Sequence, residues 1–122
     1  MNHLVLFYTS SLFDATRLHS TDSVRIEVVR TSKELLESAS AATVCVIDLS
    51  DEASLGLIEE LRRRCSGQLI GYGPHVMGER LKQAKDLGLD QVLARSRFFG
   101  SLGPNHWVFA AIENNADRAA NE

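Results

Sequence analysis

At 122 residues the chain has the length of one domain, enough to bury about two-thirds of the surface that its unfolded form exposes. Hydrophobic residues make up 44% and charged residues 24%, which argues against a low-complexity or disordered chain. A formal net charge of -3 argues against a nucleic-acid binder driven by a global basic field, and no apolar run is long enough to be a signal segment or to span a membrane.

The first element is "HLVLFY" at 3 to 8, a short apolar strand ended by Thr9, Ser10 and Ser11; "LFDATRL" then has helical spacing through Leu18. "SVRIEVVR" alternates Val24, Ile26 and Val28 against Arg25 and Glu27, as a strand with one wet face does. In "TSKE", Thr31 and Glu34 form a capping box ahead of a helix through Leu35, Leu36 and Ala39. "TVCVIDLS" lacks any polar alternation, which predicts a central strand covered on both faces and ending on Asp48.

Ser50 or Asp51 can cap the next helix, whose Leu55, Ile58, Leu61 and Cys65 share a face and which Gly67 can end. The triplet "RRR" at 62 to 64, behind "EE" at 59 and 60, belongs to the solvated side of that helix. "QLIGY" is the fourth strand, "ERLKQAKDL" a helix stopped by Gly88, "DQVLA" the fifth strand, and "NHWVFAAIENN" a last helix after Pro104. The segment from about 116 to 122 is expected to fray, and the whole chain to form one domain, 1–122. Cys45 and Cys65 have no metal-type spacing and read as reduced thiols of a cytoplasmic protein.

Strand and helix thus alternate five times with short connections, which argues for an α/β fold: a parallel sheet with helices on both faces and right-handed crossovers. All strands of such a sheet end at one edge, where ligands bind. The exits collect Ser10 and Ser11 from the first strand, Asp48 and Ser50 from the third, Gly73 and His75 from the fourth, and Arg95, Ser96 and Arg97 from the fifth. An ionised carboxylate at the end of a buried strand needs a partner, and Arg95 is the expected one, reaching Asp48 across the strand between them. Arg95 and Arg97, two residues apart on a strand, would share a face and could hold an anion.

The order of elements, the size of the chain, Asp48 in "VCVIDLS" and the segment "GLDQVLARSRF" resemble a response-regulator receiver domain over nearly the whole length. The resemblance implies a flavodoxin-like, three-layer fold with sheet order 2-1-3-4-5. It also implies that Asp48 is a phosphoacceptor, with an acidic pair after the first strand for Mg²⁺, a hydroxyl ending the fourth strand and a lysine ending the fifth. Of these, only Asp48 is retained. Thr9, Ser10 and Ser11 replace the acidic pair, with Asp14 expected a turn into the helix; Gly73, or else Tyr72, takes the hydroxyl position, and Arg95 the lysine position.

One carboxylate among hydroxyls makes a weak site for a hard divalent cation, so no metal or cofactor is expected unless the chain is a true receiver using Mg²⁺. The departures favour a degenerate, pseudo-receiver-like, non-enzymatic signalling module that works through another protein chain or a second copy of itself, with Phe98, Phe99 and Trp107 as the contact face. A single-domain receiver phosphorylated at Asp48 is the first alternative, and a small-anion or nucleotide binder using His75 and the arginines is the second. No nucleic acid or membrane is expected as a partner.

Overall fold

The computed structural model describes residues 3–120. Five parallel strands form one sheet: β1 (His3–Tyr8), β2 (Val24–Val29), β3 (Val44–Asp48), β4 (Gln68–Gly73) and β5 (Gln91–Ala94), in the order β2-β1-β3-β4-β5. This is the expected flavodoxin-like order. The helices are α1 (Leu12–Ala15), α2 (Ser32–Ser38), α3 (Ile58–Arg64), α4 (Gly78–Leu87), α5 (Arg95–Phe98) and α6 (Pro104–Ala120).

Alternation along the strands divides the core into two layers. Leu6, Cys45, Ile47 and Leu69 point to the side where Leu35, Ile58, Leu61 and Ala84 of α2, α3 and α4 pack. Val5, Phe7, Val46, Ile70 and Leu93 point to the other side, against Leu18, Phe98 of α5, and Val108 and Ala111 of α6. β3 is buried at all five positions, which accounts for its unbroken apolar run.

Local chemistry explains the element ends. Thr31 caps α2 by accepting from the amide of Glu34, and its hydroxyl donates to Glu34 Oε1, so the N-cap half of the expected capping box forms while the Glu34 carboxylate bonds the Thr31 hydroxyl in place of its backbone N–H. Asp51 accepts from the amide of Ala53 and opens a 3₁₀ segment, Glu52–Leu57, that leads into α3. Gly88 ends α4 at φ 134°, a backbone conformation that a side chain would strain. Gly67 does not end α3, which stops at Cys65; a Cβ on Gly67 would lie 2.2 Å from the carbonyl oxygen of Thr43, so close approach of the chains is what demands glycine there.

Further expectations are corrected. The helix after β1 spans only Leu12–Ala15, and Leu18 reaches the core from the loop beyond it. The segment "RSRF" leaves the sheet and forms α5, so Arg95 and Arg97 are helical and do not share a strand face. Phe98 lies wholly in the core, because α5 turns it under the sheet edge, and it offers no contact surface. α6 continues through Ala120, into the stretch expected to fray; Asn121 and Glu122 lie outside the described residues.

Candidate functional site at the carboxyl edge of the sheet

The period of two that builds the core also builds the site. Thr9, Asp48, Tyr72 and Arg95 each stand two residues beyond a core residue of the α6 side: Phe7, Val46, Ile70 and Leu93. The register places Asp48 directly beside Tyr72. Four functional groups from four strand ends therefore lie on one side of the sheet, and Asp14 of α1 bonds two of them, Tyr72 and Arg95.

Asp48 is satisfied locally. Its Oδ2 accepts from the hydroxyl of Thr9 at 2.8 Å and its Oδ1 from the amide of Ser50 at 2.9 Å. The Ser54 hydroxyl donates to its carbonyl oxygen, and Arg80 of α4 donates to the carbonyl oxygens of Leu49 and Ser50. At 7% exposure the carboxylate has both oxygens bonded without a cation on either. Both direct partners are neutral donors, while Arg95 acts on the carboxylate only through space.

Arg95 is elsewhere. Its two terminal nitrogens grip both carboxylate oxygens of Asp14, so the expected Asp48–Arg95 ion pair is replaced by an Asp14–Arg95 fork. The physical reason is α1. Ser11 caps it by accepting from the amide of Asp14, and this short turn sets the Asp14 side chain, 1% exposed, over the end of β4. The hydroxyl of Tyr72 donates to Asp14 Oδ2 at 2.9 Å. A planar guanidinium matches a carboxylate in two parallel bonds, which holds the pair more strongly than a single contact.

Titration behaviour follows from this arrangement. The Arg95 hydrogen bonds hold the Asp14 carboxyl below its ordinary value, against burial, which acts the other way. Asp14 in return raises Arg95. Burial, before any other cause, pushes the Tyr72 phenol up, so it stays a donor at neutral pH. Burial also raises Tyr8, with Asp51 and Asp48 adding to the effect.

The candidate residues do not form one cluster. Ser10, Asp48 and Ser50 line an open pocket of about 450 Å³ with Tyr8, Thr9, Arg30, Asp51, Glu52 and Ser54. His75, Arg95 and Ser96 line a second, of about 400 Å³, with Arg17, Pro74 and Phe99. Ser11 is occupied as the α1 cap, and its amide donates to Thr9. Gly73 is buried where a Cβ would crowd Leu81 and Leu49, so the fourth strand ends in packing, while the hydroxyl that works here is that of Tyr72. Arg97 lies apart, its guanidinium 5.2 Å from the centre of the Trp107 ring.

Asp14, Arg17 and Arg80 have roles that the sequence did not disclose. For Asp14 the sequence carried only part of the signal: Ser11 stands three residues before it as a cap, but the one-turn length of α1 does not show in the sequence. Among the described residues, no group of three or more His, Cys, Asp or Glu side chains could hold a metal ion. Cys45 and Cys65 are free thiols in the core, with sulfurs 3.9 Å apart.

No protein-family model matches the sequence, and no curated protein does. Solved structures do match. A response regulator receiver domain protein from Methanospirillum hungatei superposes with a TM-score of 0.74 at 12% identity, with all of both chains covered. The receiver domain of AraT, a response regulator from Geobacillus stearothermophilus, gives 0.70 at 20% identity over 98% of this chain and 99% of that one. A response regulator from Burkholderia pseudomallei, solved with a phosphorylated aspartic acid, gives 0.67 at 17% identity over 99% of this chain and 72% of that one. The chain therefore has the fold of response-regulator receiver domains.

Proposed function

We propose that this protein is a receiver-fold signalling module that acts through protein contacts and does not run efficient Mg²⁺-dependent phosphoryl transfer at Asp48. The observation that carries this reading is the place of Arg95: the cation at the end of β5 is held by Asp14, and Asp48 has hydrogen-bond donors only. Phosphoryl transfer depends on positioned positive charge around the moving group. Thr9, Ser10 and Ser11 after β1 supply oxygen ligands without charge, and Asp51 and Glu52 of the same pocket sit after β3 on exposed positions.

The contact surface is the exposed side of α6 and the loop before it. Leu102 and Phe109 are exposed there, and half-buried Trp107 donates its indole N–H to the carbonyl oxygen of Arg97. Phe99 belongs to the neighbouring basic pocket, away from this surface. The partner is a protein or a second copy of this chain. No helix among the described residues is long and apolar enough to cross a membrane, and the two free thiols suit the cytoplasm.

Phosphorylation at Asp48 is the competing reading, supported by the position of that residue at the end of β3 in an open pocket. Intact-mass spectrometry after incubation with acetyl phosphate and Mg²⁺ separates the two. The expected result is no phosphoryl adduct on the native protein. An adduct that disappears in Asp48→Asn would establish the competing reading.

A further inference from the structure

The pocket beside β5 has features that neither the contact surface nor Asp48 uses. It is formed by Arg17, Pro74, His75, Arg95, Ser96 and Phe99, with no carboxylate in its lining, and Asp14 lies beneath it. Its volume of about 400 Å³ falls within the range of small-molecule sites. Two guanidinium groups flank one ring: the Arg17 carbon is 4.1 Å and the Arg95 carbon 4.9 Å from the centre of Phe99. The fork to Asp14 neutralises one of the two positive charges, which leaves a net charge of about one.

Several donors face this space with capacity left. Arg17 donates from one terminal nitrogen to the carbonyl oxygen of Phe99, which fixes the side chain and leaves its other N–H groups open. Arg95 uses its terminal nitrogens on Asp14, and its Nε is not part of the fork. Ser96 and His75 are exposed polar groups on the rim. Pro74 and the Phe99 ring supply apolar walls.

We propose that this pocket binds a small planar organic anion, a carboxylate or phosphate group carried on a flat apolar body. The anionic group meets Arg17, with Ser96 and His75 beside it, and the flat body lies against Pro74 and Phe99. Charge selects the head and the walls select the body. A single open guanidinium is matched to one anionic group, and Arg95, rigidly held by Asp14, positions the ring rather than swinging onto the ligand. The site is separate from Asp48 and stands whether or not Asp48 accepts a phosphoryl group.

The test follows backbone amide NMR shifts of the full chain during titration with benzoate, phenyl phosphate, acetate and benzamide. Saturable shifts at His75, Ser96 and Phe99 with benzoate or phenyl phosphate are expected, with Thr9 and Ser50 unmoved. The stronger of these two ligands identifies the head group. Acetate, lacking the ring, and benzamide, lacking the charge, should each bind at least about tenfold more weakly. Arg17→Gln should weaken the anion about tenfold or more, and Ser96→Ala by less; both variants must keep the native amide spectrum elsewhere, and Ser96→Ala carries the test if Arg17→Gln does not. Absence of saturation by about 10 mM ligand, equal binding of benzamide, or equal binding to the variants would overturn the proposal.

Discussion

Two pockets open at the same edge of the sheet, and they carry opposite charge. The one around Asp48 gathers Asp48, Asp51 and Glu52 against a single arginine, Arg30. The one around Arg95 gathers Arg17, Arg95 and His75 with no acid in its lining. In the receiver arrangement implied by the sequence resemblance, carboxylate and strand-five cation serve one site. Here Asp14 and Tyr72 stand between them and take the cation. The difference teaches that the chemistry open to an aspartate at the end of the third strand depends on where its neighbours point.

The largest effect expected is that of Arg95→Ala, which breaks the basic side of this comparison. It leaves Asp14 as a buried carboxylate without its cation, at a cost of about 3 kcal/mol or more in denaturant unfolding. The pH dependence should weaken with it. In the native protein the Asp14 carboxyl is held below its unfolded value, so the stability it contributes is present above about pH 4 and is lost as pH falls through the lowered value. In Arg95→Ala burial opposes only the Tyr72 hydrogen bond and the Arg17 charge, so the carboxyl is held down less and the deficit should be greatest near neutral pH and shrink on acidification.

Asp14→Asn should cost less, about 1 to 2 kcal/mol, because the group left unpaired is Arg95, 38% exposed and able to take water as a partner. Equal losses for the two changes would show that the pair is solvated on both sides. Tyr72→Phe removes one bond to Asp14 and should cost about 1 kcal/mol, with the loss growing if the phenyl ring shifts from its stack on Phe98. The smallest effect is expected from Asp48→Asn, which keeps an acceptor for Thr9 or Ser50 and should cost under about 1 kcal/mol.

The sheet was legible in the sequence because its signals are local. The unbroken run at 44 to 48 can only sit in a covered strand, and alternation at 24 to 28 marks an edge, as β2 is. Asp48 was legible for the same reason. The partner of Arg95 was not, since it depends on two three-dimensional facts: α1 stops after one turn, and "RSRF" leaves the strand as a helix. Tyr72 is legible in part, because counting by twos from Ile70 puts its ring on the side shared with Phe7. The burial of Phe98 was not legible, because two adjacent aromatic residues, Phe98 and Phe99, do not say which of them the helix will turn inward.

The most direct test of the uncoupling of these pockets is a pair of double-mutant cycles read by denaturant unfolding, Asp14→Ala with Arg95→Ala and Asp48→Ala with Arg95→Ala. The account predicts a coupling of about 2 kcal/mol or more for Asp14 with Arg95, and under about 0.5 kcal/mol for Asp48 with Arg95. A coupling above about 1 kcal/mol between Asp48 and Arg95, with little between Asp14 and Arg95, would contradict it and return the strand-five cation to the aspartate of β3.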